Sequence, residues 1–232
     1  MNINVEKLEP LQHGEGKFGK CYILDKGTIY KEFKPDIEEE LIIYKENLMP
    51  LVGKENETFI LPRHLNCQNG ILLGYTMRYI NAPCLKRLGH NISLSQLALA
   101  TPKVYQDIEN LSNNRIISED VTDRNILFNG NIHIIDSDFY TIGDNKDKIL
   151  LKNRKNYNQA ILAYICETSM NKNEIEEFIM NDFYLKYMYN LLEYGASKEV
   201  MVGFLTTLKT KVSEYAGRET DNLKDIYKIL KK

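Results

Sequence analysis

Apolar and polar residues alternate over short runs in the first third of the chain, whereas apolar residues recur at helical spacing through most of the remainder. Cys21 to Leu24 and Thr28 to Phe33 are β-prone runs separated by Asp25-Lys26-Gly27, a hairpin signal. Ile71 to Ile80 reads as a further strand. Between them, Asp36-Ile37-Glu38-Glu39 resembles a capping box with Asp in place of Ser or Thr; it opens a helix through Leu41, Tyr44 and Leu48 that stops near Pro50. A 3.6-residue period then places Leu97, Val104, Ile108 and Leu111 on one face, followed by Ala160, Ala163 and Tyr164, and by Ile175, Phe178 and Ile179 with further aromatics up to Leu192. Gly195 suits a C-cap, Ser197 the next N-cap, and the terminal lysines suit the negative end of a last helix over Asp221 to Lys232. One stretch interrupts the helical pattern: from Ile116 to Tyr140, short apolar runs alternate with Asp and Asn. All 6 prolines occur by Pro102, as do most of the 13 glycines, so a β-rich N-terminal portion followed by a helical one is predicted, an α+β chain.

Composition narrows the function classes. With 232 residues, 43% hydrophobic and 27% charged, the chain can bury about 70% of its surface and needs no disulfide or metal staple. Thirty Lys and Arg against 32 Asp and Glu leave no basic field, which argues against nucleic acid as the partner. The opening MNINVEKLEP carries charge where a signal peptide is apolar, and no apolar run approaches the length of a membrane span, so no membrane partner and a cytoplasmic location are expected. Cys21, Cys67, Cys84 and Cys166 are irregularly spaced with no C-x-x-C pair, the pattern of reduced and mostly buried thiols. His64 and Cys67 lack a second ligand pair and carry no metal site.

The chemistry begins with Gly14-Glu15-Gly16-Lys17-Phe18-Gly19, a G-x-G-x-x-G match whose spacing lets backbone amides approach phosphate oxygens. Alone it is a weak signal. A dinucleotide fold needs a helix directly after the glycines, but Lys20 to Leu24 continues as strand, so that fold is excluded. The second segment is Ser118-Glu119-Asp120-Val121-Thr122-Asp123-Arg124-Asn125-Ile126-Leu127, followed by Ile132-His133-Ile134-Ile135-Asp136, with a Gly-Asn turn between two short strands.

Together these elements resemble the protein-kinase-like superfamily. A glycine-rich turn, a strand lysine at Lys31, a helix rich in acids, a D-x-x-x-x-N loop and a following Asp occur in the family's order. The resemblance implies a two-lobed fold: residues 1–80 form an antiparallel sheet lobe with one helix, and 81–232 a helical lobe. It implies an ATP- and Mg²⁺- (or Mn²⁺-) dependent kinase. Asp120 would be the base, Asn125 and Asp136 the metal ligands, and Lys31 the cation on the phosphates. Gly14, Gly16, Phe18 and Gly19 would cover the nucleotide, Cys21 would lie over adenine, Met77 would be the gatekeeper, and Arg78, Tyr79 and Ile80 would present backbone to adenine. Lys31 needs a carboxylate to hold it. Glu39 is the capping acid and Glu40 lies beside the Ile43 and Tyr44 face, so Glu40 is preferred, with Glu46 left open.

The departures from the family pattern bear on the acceptor. Ser118-Glu119 replaces the His-Arg before the base, removing the arginine that reads activation-loop phosphorylation. Thr122 replaces a lysine, while Arg124 matches the arginine of tyrosine-kinase loops. Asp136-Ser137-Asp138 replaces D-F-G, adding Asp138 as a further candidate metal ligand, and no A-P-E follows. A protein Ser, Thr or Tyr is the favoured acceptor. A small molecule, as in aminoglycoside or choline kinases, is the alternative, and a pseudokinase that binds nucleotide as a scaffold is the third reading.

Overall fold

A computed structural model describes residues 3–34, 44–169 and 187–230. The N-terminal half forms one antiparallel sheet and the C-terminal half is helical, as the change in periodicity predicts. Five strands, β1 (Glu9–Glu15), β2 (Gly19–Asp25), β3 (Thr28–Phe33), β4 (Pro62–Gln68) and β5 (Ile71–Arg78), lie in the order β1-β2-β3-β5-β4. The Asp25-Lys26-Gly27 turn joins β2 to β3, with the Asp25 carboxylate accepting from Gly27 N–H at 2.7 Å. Strand β4 is additional to the sequence prediction. It begins at a proline and occupies an edge, where a missing N–H costs no ladder bond. Its partner is reached through Asn69-Gly70, both left-handed (φ 51° and 84°), the residue pair that a two-residue hairpin turn requires.

The acid-rich segment that should cap a helix, Asp36 to Glu40, lies outside the described residues. Its C-terminal end is helical at 44–48 and closes in a 3₁₀ turn at Met49–Leu51, beside Pro50. Tyr44 and Leu48 are both buried, as the predicted apolar face requires.

Helix α1 (Leu85–Leu88) is a single turn, and α2 (Leu94–Asn113) is a long helix. Leu97, Val104, Ile108 and Leu111 are fully buried, each contributing roughly 1.5–3 kcal/mol. Its start is a full capping box: Ser93 Oγ accepts from Gln96 N–H at 3.0 Å and Gln96 Oε1 from Ser93 N–H at 2.9 Å. The helix runs through Pro102, which the sequence reading takes as the end of the proline-containing region; the ring lies on the exposed side. Helix α3 (Lys146–Ser169) is enclosed on several faces, burying Asn153, Tyr157, Asn158, Ile161, Leu162 and Ile165. Among the described residues three further helices follow, α4 (Tyr189–Glu193), α5 (Lys198–Ala216) and α6 (Leu223–Leu230). Gly195 follows α4 at φ 53°, and Ser197 is the N-cap residue of α5, though without a side-chain cap bond. The Ile175 to Ile179 pattern lies outside the described residues.

Between α2 and α3 the irregular stretch resolves into β6 (Ile116–Ile117), β7 (Ile126–Phe128), β8 (Ile132–Ile134) and β9 (Thr141–Ile142), paired β6 to β9 and β7 to β8. It is also the seam with the sheet. Ile134 exchanges backbone bonds with Thr58 and Ile60 at 2.7 and 2.8 Å, and Asp107 of α2 accepts from Thr58 N–H at 2.9 Å. No described helix is long and apolar enough to cross a membrane. All four cysteines are free, but Cys67 is exposed and the others half-buried, so the thiols are less buried than the sequence reading expects.

Candidate active site

The glycine-rich segment forms the bend between β1 and β2. Gly14 and Gly19 fall in the strands and Gly16-Lys17-Phe18 makes the turn, closed by Gly16 N–H to Gly19 C=O at 2.9 Å. A Cβ at Gly19 would lie 2.4 Å from the Glu32 carbonyl, so close strand approach explains this glycine. The turn roofs a cavity of about 650 Å³. Gly14, Gly16, Phe18, Gly19 and Cys21 line its upper wall, and Met77, Arg78, Tyr79 and Ile80 its rear. Lys31, Arg124, Asn125 and Asp136 line it as well.

Lys31 emerges from β3 with its ammonium buried. It pairs with Asp136 Oδ1 and, at 2.5 Å, with Asp138 Oδ2. Asp138 is fully enclosed, and its other oxygen accepts from the Tyr75 hydroxyl at 2.8 Å. Burial alone would lower the Lys31 ammonium; the Asp138 and Asp136 carboxylates outweigh it and hold the group well above the usual lysine range. Burial pushes the Asp138 carboxyl up to about 6, against the pull of Lys31. The two shifts bear oppositely on the pair: the carboxylates hold Lys31 charged, whereas burial and then the Asp136 charge outweigh the pull of Lys31 and favour the neutral Asp138 carboxyl. Tyr75 is pushed well above the usual phenol range by burial and then by Asp138. The turn carrying both acids packs on the roof: Phe139 lies 5.5 Å from Phe18 and 5.7 Å from Tyr44 between ring centroids. Phe139 thus joins the turn that carries both acids to the glycine bend and to the short helix at 44–48.

Asp120 is exposed and lines a neighbouring hollow of about 370 Å³ with Glu119, Thr122, Asp123, Asn156 and Tyr164. Asn125 connects the two spaces: its Nδ2 donates to Asp120 O at 3.0 Å and to Asp120 Oδ2 at 3.1 Å. Burial, then the Asp136 charge, raises the Asp120 carboxyl above the ordinary range. Asp120 and Asp136 both hold left-handed backbone, φ 53° and 70°, an uncommon conformation for non-glycine residues that clusters at functional sites. Behind the loop, buried Asn153 accepts from Ser118 N–H at 2.8 Å and from Ser118 Oγ at 3.0 Å, and donates to Ile116 O at 2.9 Å. Asn156 donates to Ser118 O. Sequence reasoning passes over these asparagines, although such poor helix formers inside a long helix are themselves a signal.

Glu40 lies outside the described residues. Glu46 is exposed, and the carboxylates that the described residues bring to Lys31 are Asp136 and Asp138. At the predicted hinge, Tyr79 N–H is taken by Gly27 C=O at 3.0 Å, while the Arg78 side chain turns to the Asn56 and Glu57 carbonyls. That side chain enters a second hollow of about 730 Å³ between β4 and α2. Within it Lys103 pairs at 3.1 Å with both Glu57 and Asp107. The cavity of about 650 Å³ gathers most of the predicted site residues, with Asp120 in the neighbouring hollow and Asp138 behind Lys31.

The donor set suits a hard cation. Asn125 spends its amide hydrogens on Asp120, leaving a carbonyl oxygen, and the Asp136 carboxylate faces the same cavity. Among the described residues no cluster of three or more His, Cys, Asp or Glu is built to hold a metal alone, an arrangement compatible with an ion that takes its remaining ligands from phosphate and water. Compared with models of known protein families and with curated proteins, the sequence matches none.

Proposed function

We propose that the chain is an ATP- and Mg²⁺-dependent phosphotransferase acting on a hydroxyl, built on a two-lobed protein-kinase-like fold with residues 1–80 and 81–232 as its lobes. One observation carries this reading. A glycine turn, a buried strand lysine, an asparagine and an acid, drawn from Gly14 to Asp136, line one cavity next to an exposed acid, Asp120. Lys31 neutralises phosphate oxygens, and the backbone at Gly16 to Gly19 covers them. Asn125 and Asp136 would hold Mg²⁺, which when bound offsets the charge of the transferring phosphoryl group. Asp120 takes the proton of the attacking hydroxyl; the new bond forms from that oxygen to the γ-phosphorus as the bond to the β-phosphate oxygen breaks. Arg124, exposed at the cavity mouth, adds positive charge beside the γ-phosphate. A cytoplasmic setting belongs to the same proposal.

Two acceptors fit this chemistry. A protein Ser, Thr or Tyr is the reading carried by the catalytic-loop resemblance. A small hydroxyl compound is favoured by the short chain after the metal loop: α3 begins at Lys146, leaving only a 3₁₀ turn at Ser137–Phe139 and the two-residue β9 between it and Asp136. That leaves little chain from which to build a peptide-docking platform. Incubating the protein with labelled ATP and Mg²⁺, alone, with lysate protein and with a small-molecule extract, tests both. Label is expected in one acceptor class, and no ATP turnover in any arm overturns the proposal.

A further inference from the structure

Resting on the phosphotransferase reading, the next question is what holds Lys31 over the phosphates. A long, flexible amine contributes little to transition-state stabilisation unless its position is fixed beforehand. The sequence directs attention to an acid on the helix; the described residues bring two other acids, Asp136 and Asp138, to the ammonium.

Lys31 and Tyr75 are direct partners across the β3–β5 ladder, so their side chains project from the same face of the sheet. Asp138 lies against that pair. Its Oδ2 meets Lys31 Nζ at 2.5 Å and its Oδ1 accepts from Tyr75 at 2.8 Å, so both oxygens are engaged, and the side chain has no exposure. Asp136 differs on each count: its side chain keeps 28% exposure and lines the nucleotide cavity. The left-handed backbone at Asp136 and the 3₁₀ turn at Ser137–Phe139 turn the chain so that acids two positions apart reach one ammonium. An enclosed carboxylate with both oxygens bonded offers nothing to a hydrated ion, which needs room for its waters.

We infer that Asp138, oriented by Tyr75, is the positioning residue for Lys31, and that Asp136 alone of the two acids meets metal. The lysine is thereby tied to the loop that carries the metal ligand, so cation and metal are placed by one piece of backbone.

The test compares Asp138→Asn, Tyr75→Phe and Asp136→Asn with the wild-type protein, after thermal melts establish that each is folded. Two readouts are taken: the Mg²⁺ dependence of ATP turnover, and the rate at which Lys31 is acetylated by a succinimidyl ester in nucleotide-free protein, followed by peptide mass spectrometry. Asp138→Asn is expected to lower turnover by about 10-fold or more while its half-saturating Mg²⁺ stays within about two-fold of wild type. Asp136→Asn is expected to raise the Mg²⁺ requirement. Lys31 acetylation is expected to accelerate by about 10-fold in Asp138→Asn and by less in Tyr75→Phe, because a caged, ion-paired amine is protonated and shielded. Should Asp138→Asn not fold, Tyr75→Phe carries both readouts. A raised Mg²⁺ requirement in Asp138→Asn overturns the inference, as does unchanged Lys31 acetylation in folded Asp138→Asn and Tyr75→Phe. So does a Glu40→Gln protein that loses more turnover and more Lys31 protection than Asp138→Asn. If the wild-type protein turns over no ATP, the phosphotransferase reading falls, and the acetylation arm alone decides whether Asp138 holds Lys31.

Discussion

Two acidic loops meet at the site, and they are stabilised in opposite ways. Around Asp120 the side chain is exposed and the backbone is held from behind, with Ser118 N–H, Ser118 C=O and Ile116 C=O bonded to Asn153 and Asn156 of α3. Around Asp138 the side chain itself is enclosed and satisfied by Lys31 and Tyr75. On the proposed function Asp120 is a base that its substrate must reach, which suits a position secured through main chain. A residue that orients another meets no substrate, so it can be buried, provided that each polar atom finds a partner.

The sharpest way to break this contrast is at Asp120. Asp120→Asn should leave the melting temperature nearly unchanged and nucleotide binding intact, while turnover falls ~10²–10⁴-fold; a folded variant with full turnover would show that Asp120 is not the base. Removing the support behind the loop should act on stability instead. Asn153→Leu strips partners from buried backbone groups of Ile116 and Ser118, so urea denaturation should report a loss of about 2–4 kcal/mol. A third comparison sets two glycines against each other. A Cβ at Gly74 would lie 2.1 Å from the Lys31 carbonyl and 2.7 Å from the Tyr30 hydroxyl, whereas at Gly16 the nearest atom is 4.0 Å away. Gly74→Ala should therefore cost about 1–3 kcal/mol and Gly16→Ala should be close to neutral in the same denaturation experiment. A fourth comparison concerns thiol chemistry. Burial pushes the Cys21 thiol up to about 11, so at pH 8 about one molecule in a thousand is ionised there. Exposed Cys67 should react first with an aromatic disulfide reagent, and Cys21 more slowly by ~100-fold or more as the pH is held at 8; preferential reaction at Cys21 would contradict its burial.

Much of the fold is legible where the code is local. The Asp25-Lys26-Gly27 hairpin, the buried face of α2 and the paired short strands after Ile116 follow from turn chemistry and period. Two further local signals were equally available and mark structure beyond the prediction: Asn69-Gly70, which joins β4 to β5, and Ser93 to Gln96, which caps α2. Pro102 shows the opposite case. Its local preference is to end a helix, and the packing of the residues on either side carries α2 through it.

By itself the sequence determined the change from sheet to helix and the Asp25-Lys26-Gly27 hairpin, because each depends on neighbours within a few positions. Only the tertiary structure shows that Asp136 and Asp138 meet Lys31 among the described residues. Several carboxylates compete for that ammonium on paper, and the choice depends on distances across 105 and 107 positions of chain together with the full burial of Asp138. Enclosure in a low-dielectric interior is a property of the assembled fold, and no spacing of residues encodes it in advance.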